Sequence, residues 1–269
     1  MTLGPTGYSA STPLAAGSVR VWSEGYLSGF NGDLAQDGDF QVLYAGGDIL
    51  LGPNVMLGLL GQVDWMDEKS GRLGSNIDGQ GWMVGPYLGI LLGPVWQFDA
   101  RAAWGQSDND INLLGGKGSF DTDRWLARGS LRGNWYSGAW RLTSITELGY
   151  VEEQQDRFRE SGGAVIPGQT VALGRFTFGP ELAYRIEANC SFIEPQVSLQ
   201  GLWNFDQMGN VVLDGFVSSP DDFYGRVEAG LMFGREGGMT FRAVGAYEGI
   251  GASDFELWSG RVWASVPLN

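Results

Sequence analysis

Along much of this chain apolar and polar residues alternate strictly, and tryptophans stand at both ends of the apolar rows. Trp96, Phe98, Ala100, Ala102 and Trp104 share one face at a period of two, with Gln97, Asp99, Arg101 and Ala103 on the other. Trp125, Ala127, Gly129, Leu131, Gly133 and Trp135 repeat the arrangement opposite Arg124, Leu126, Arg128, Ser130, Arg132 and Asn134. At about 3.3 Å per residue and a tilt near 40°, eight to ten such residues rise about 20–25 Å along a membrane normal. That is the height of the apolar band of an outer-membrane barrel, which carries aromatic girdles at both rims. Trp96, Trp104, Trp125 and Trp135 are the expected girdle residues. A soluble sandwich would fill its interior with branched aliphatics, whereas here the second face carries charge. Lipid outside and water inside accounts for both faces. Any one of these strands also suits an antiparallel sheet with a solvated face, and it is their repetition that favours the barrel.

Composition narrows the choice. No run of 18 apolar residues exists in the 269-residue sequence, so membrane insertion requires a closed sheet that satisfies its own backbone groups. The 44 glycines and 13% aromatic residues suit such a sheet. A net charge of −14 argues against nucleic acid as a partner. Cys190 is alone, so no intrachain disulfide framework is available. With no histidine, Ser-His-Asp and Cys-His catalysis are excluded, along with the commonest transition-metal ligand. No catalytic residue, metal ligand or cofactor is expected. The acidic residues of the connectors lack the spacing and central glycine of a calcium loop. Met1 to Gly17 has neither a basic start nor an apolar core, so no signal peptide is read there and the chain reads as a mature piece of a longer precursor.

Twelve strands are expected, near 18–30, 40–50, 54–66, 79–92, 95–107, 119–135, 139–152, 170–186, 191–205, 223–235, 239–249 and 255–267. Short connectors (51–53, 93–94, 136–138, 187–189 and 236–238) alternate with mostly longer polar ones (67–78, 108–118, 153–169 and 206–222). Short periplasmic turns and long extracellular loops are the outer-membrane pattern, and an even strand number puts both termini on the short-turn side. The fold class is therefore an all-β, 12-stranded antiparallel up-and-down transmembrane barrel, with 1–17 a linker or plug segment and 18–269 the barrel. Parity sends Arg20, Glu24, Asp48, Asp99, Arg101, Arg124, Arg128, Arg132, Arg141, Glu147, Glu194, Arg226, Glu228, Arg242, Glu248 and Arg261 into the lumen. Interleaved charge of both signs reads either as an ion-pair lattice that props the wall or as a surface past which hydrated polypeptide slides. The Arg124, Arg128 and Arg132 ladder could alternatively bind a linker carboxylate or select anions.

Leu142 to Gly163, LTSITELGYVEEQQDRFRESGG, resembles the seventh strand and following loop of the autotransporter β-domain, with Phe158, Glu160, Ser161 and Gly162 matching its F-x-E-S-G motif. Val21, Trp22, Glu24, Gly25 and Tyr26 resemble that family's first strand, Gly46, Gly47 and Asp48 through Gly58 its second hairpin, and Ile193, Glu194 and Pro195 through Trp203 its ninth strand. The resemblance spans about residues 18–268 and implies a type V secretion translocator of the bacterial outer membrane. Its partners would be outer-membrane lipid, the barrel-assembly machinery and an upstream passenger. The family usually ends in phenylalanine; here Val262, Ala264, Val266 and Leu268 form the expected assembly signal, with Leu268 in the terminal apolar place. The family also threads a helix through the pore, whereas Gly4, Pro5, Gly7 and Pro13 disfavour one in residues 1–16. The alternative reading is a free-standing channel for small solutes. A barrel enzyme would be left with only a carboxylate pair, and a soluble ligand-binding barrel fits the charged interior poorly.

Overall fold

The computed structural model describes residues 2–4, 7–9, 16–32, 36–70, 74–113, 116–235 and 238–268. Twelve long strands dominate: β1 (Val19–Gly32), β2 (Gln36–Leu50), β3 (Val55–Ser70), β4 (Ser75–Leu92), β5 (Trp96–Leu113), β6 (Gly116–Ser137), β7 (Trp140–Gln155), β8 (Gln169–Tyr184), β9 (Ser191–Met208), β10 (Phe223–Arg235), β11 (Thr240–Ile250) and β12 (Glu256–Pro267). Each pairs antiparallel with its sequence neighbours, and β12 returns to β1 from Glu256↔Asn31 to Pro267↔Arg20. The cylinder is closed, so every strand has two hydrogen-bonded neighbours and none presents a bare edge. Val19 and Pro267 meet at the short-turn rim, where the Leu268 N–H donates to the Val19 carbonyl at 3.0 Å.

The strands run further than hydrophobic alternation indicates. Pairing of β3 with β4 continues to Ser70↔Ser75 and that of β5 with β6 to Leu113↔Gly116. Most of 67–78 and 108–118, expected to be loops, is therefore paired hairpin. A ladder of backbone hydrogen bonds needs no apolar side chains where it rises into water, so the apolar pattern stops before the strands do. Of the predicted segment 1–17, Thr2–Gly4 pairs with Gly7–Ser9 as a small antiparallel hairpin. Residues 1, 5, 6 and 10–15 lie outside the described residues, as do residues 236–237 of the predicted 236–238 turn.

Parity separates the two faces. On β1, Arg20, Trp22, Glu24, Tyr26, Ser28 and Phe30 are buried while Val19, Val21 and Leu27 are exposed. Inside, aromatic rings lie flat against glycines of the adjoining strands. A Cβ at Gly46 would sit 2.4 Å from the Trp22 ring, and one at Gly58 2.2 Å from Tyr87. These rings seed a chain of polar contacts: Trp22 Nε1 donates to the Tyr87 hydroxyl (2.6 Å), which donates to Asp48 (2.7 Å), which pairs with Arg20 (2.5 Å). The wall is thus cross-braced by packing and hydrogen bonding together.

Candidate functional site: a charged lumen and an in-folded hairpin

All sixteen charged residues that parity placed in the lumen are buried or half-buried on the inner face. Arg20, Glu24, Asp48, Arg101, Arg124, Arg132, Glu194 and Glu248 are buried; Asp99, Arg128, Arg141, Glu147, Arg226, Glu228, Arg242 and Arg261 are half-buried. Most meet across strands. Arg128 pairs with Glu147 at 3.2 Å, Arg226 with Glu248 at 2.5 Å, and Arg261 with Glu24 at 3.3 Å. Arg141 bridges Glu181 (2.9 Å) and Glu194 (2.6 Å), and Arg242 shares Glu181 at 3.4 Å. Charges in a water-poor enclosure are tolerated only when matched in this way.

Several partners escaped the sequence reading. Asp64 takes both terminal nitrogens of Arg124 at 2.9 Å, a bidentate grip that fixes the guanidinium plane. Asp64 follows Gly58, Leu60 and Gln62 on the inner row of β3, so parity alone could have found it. Glu181 and Arg175 lie on β8, whose register against β9 shifts at Gly174/Arg175 and whose alternation is broken by Gly179 and Pro180. Arg175 faces Glu248 at 3.8 Å and donates to Asn204 at 2.9 Å.

The largest departure from expectation is the connector between β9 and β10. The sequence predicts a long polar loop there; instead residues 211–217 turn down into the barrel as a small hairpin, Val212–Leu213 paired with Phe216–Val217. Asp214 and Gly215 both have positive φ, 54° and 79°, as a two-residue hairpin turn requires. Leu213 is 0%, Asp214 1% and Phe216 2% exposed. The hairpin tip is anchored to opposite walls. Asp214 pairs with Arg101 of β5 and accepts a 2.5 Å hydrogen bond from Tyr44 of β2. Phe216 lies between the guanidiniums of Arg128 (5.2 Å) and Arg175 (5.4 Å) and over Gly149 of β7, where a Cβ would be 2.4 Å from the ring. Arg175 also donates to the Val217 carbonyl at 2.8 Å. Val211, Leu213 and Phe216 pack with Met83, Ala103, Leu126, Val151 and Leu173 as an apolar cluster inside the lumen.

The base of this connector is tied outside the barrel. Asp221 accepts from the Ser253 N–H (2.7 Å) and hydroxyl (2.9 Å), joining it to the β11–β12 loop. The backbone N–H first, and the hydroxyl second, hold the Asp221 carboxyl below its usual range. A depressed folded pKa means that the tether is complete above the ordinary carboxylate value of about 3.9 and lost as pH falls through the lower folded value. In a pH titration followed by NMR, the Ser253 amide should stay in place from pH 7 to about 4 and move only below that. Movement centred above pH 5 would contradict the tether.

The motif residues Phe158, Glu160, Ser161 and Gly162 form a compact loop on the rim. Phe158 stacks on Phe120 of β6 at 5.1 Å, the Ser161 N–H donates to the Lys117 carbonyl (2.7 Å), and the Lys117 N–H donates to the Ser161 hydroxyl (2.9 Å). Glu160 accepts from the Ala164 N–H at 3.2 Å. Outside, Trp96, Trp104, Trp125 and Trp135 are all exposed, in two tiers: Trp104 contacts Trp82 at one level, and Trp96 contacts Trp135 at the other. Trp65, Trp140, Tyr184, Trp203 and Trp258 are further exposed aromatics on this surface. Val262, Val266 and Leu268 point outward, with Ala264 half-buried between them.

Residues 21–245 match the model of the autotransporter β-domain family. No curated protein matches the chain. Among solved structures, the β-domain of the Bordetella autotransporter BrkA is 18% identical, with 94% of this chain and 100% of that one covered at a TM-score of 0.77. The translocator domain of NalP from Neisseria meningitidis is 13% identical (93% and 88% covered, TM-score 0.72), and the transport unit of AIDA-I from Escherichia coli 14% (93% and 90%, TM-score 0.71).

Proposed function

Since this chain belongs to the autotransporter β-domain family, an outer-membrane translocator barrel that exports a passenger domain and performs no catalysis, we propose that its charged lumen is the conduit and that the hairpin at 211–217 closes it when no passenger is inside. The burial of that hairpin against several walls is the observation that carries the reading. A passing polypeptide and the hairpin need the same space beside Arg101, Arg128 and Arg175, so one must leave as the other enters. The lumen charges suit this exchange, because Arg128 and Arg175 keep Glu147 and Glu248 when the hairpin leaves and Arg101 passes from Asp214 to lumen water. A filled lumen also speaks against the alternative of a free-standing solute channel.

Residues 1–17 are assigned in this reading to the linker that joins passenger to barrel, and 18–269 to the barrel itself. Val262, Ala264, Val266 and Leu268 would be the edge read by the barrel-assembly machinery, and the two tryptophan tiers would seat the barrel between lipid headgroups. A reporter domain fused ahead of residue 1, behind a signal peptide, should become accessible to protease added to intact cells. Retention of the reporter in the periplasm with a correctly folded barrel would count against the conduit.

A further inference from the structure

We propose that the middle of the lumen is a binding site for one small inorganic anion of the chloride class, held by Arg132, Arg242 and Arg261. These three line a cavity of about 40 Å³ together with Arg128, Arg226, Glu147, Glu181 and Glu228, and Arg226 and Arg261 are matched from beyond it by Glu248 (2.5 Å) and Glu24 (3.3 Å). The carboxylates are already engaged. Glu147 pairs with Arg128 at 3.2 Å, Glu181 is divided between Arg141 and Arg242, and Glu228 accepts from Ser198 and Gln200 at 3.3 Å each. Asp99 lies in electrostatic range of Arg132 but makes no direct ion pair with it, accepting instead from the Ser130 hydroxyl at 2.7 Å.

Arg132 is left over. It is 7% exposed, it makes no ion pair among the described residues, and its buried Nε has no hydrogen-bond partner. A guanidinium with no direct ion pair in an enclosure is costly, and a counter-ion removes that cost. The space exceeds the roughly 10–15 Å³ that one water needs, while its size excludes a large organic anion. A cation there would sit against the Arg132 guanidinium, which has no direct ion pair among the described residues.

The site goes beyond the translocation reading, and its test does not depend on a passenger. The purified barrel in a neutral detergent is melted at constant ionic strength in sodium chloride, bromide, formate or gluconate. Chloride and bromide should raise Tm saturably, as a ligand bound only to the folded state does, and gluconate should not. The halide increment should vanish in Arg132→Gln and be retained in Arg132→Lys. Bromide-soaked crystals of the unaltered protein should show an anomalous peak among Arg132, Arg242 and Arg261, a readout that survives even if the variant folds poorly. Equal shifts in gluconate, an unchanged halide increment in Arg132→Gln, stabilisation by formate alone, or an empty cavity in bromide would each overturn the proposal.

Discussion

Asp214→Ala opens the barrel to ions. In planar bilayers the unaltered protein should be closed nearly all the time, and the variant should show frequent full-size conductance steps. Asp214 is the charged residue of the hairpin and is shut away from water, and its loss leaves Arg101 buried without its partner whenever the hairpin is inside. Removing one member of a buried pair costs about 3–5 kcal/mol. With the hairpin out, Arg101 faces lumen water and that cost disappears. The in–out equilibrium therefore shifts by about 100- to 4,000-fold toward open, since each 1.4 kcal/mol is tenfold. Excision of residues 210–219 should give the same open pore, without gating. The double replacement Arg101→Met with Asp214→Leu should close it again, because apolar groups of similar volume can stand in for a buried pair. A pore that stays closed after the excision would end the assignment of this hairpin as a plug.

Ala100→Arg should be the most damaging single change on the outer wall. Ala100 lies midway between Trp96 and Trp104 on β5, opposite Gly129 on β6, at the centre of the tryptophan tiers. A charge placed at the midplane of such a face costs about 2–4 kcal/mol. Gln200→Lys, on the inner face beside Glu228, should cost far less, because the new charge meets a carboxylate rather than lipid. Urea unfolding in lipid vesicles measures both. Equal losses on the two faces would mean that the outer wall does not face lipid.

How much of this was legible follows from what leaves a mark on alternation. Where a strand separates lipid from water, every second residue is constrained, so Trp96 through Trp104 announced its faces without any structure. Where hairpins rise into water the constraint lapses, and 67–78 looked like loop although it pairs nearly to its end. The plug left a fainter trace. Asp214–Gly215 between Val211-Val212-Leu213 and Phe216-Val217 is a two-residue turn flanked by apolar pairs, which is costly on a surface and economical only if buried. Its place beside Arg101 and Tyr44, over a hundred residues away, depends on closure of the whole cylinder and has no local signature. Parity places Arg132 in the lumen, but its lack of a direct ion pair among the described residues follows only from how the acids are distributed in space.

The seam between β1 and β12 has a temporal meaning as well. It joins Arg20 to Pro267, on the first and last of the twelve strands, so the last ladder cannot form until the final strand has been delivered. Until then both edge strands are open templates for any passing β-segment, and contacts so distant in sequence form slowly. The incomplete sheet is thus at its most adhesive for the whole journey from the inner membrane, and a chain of this topology must be escorted until its first strand finds its last.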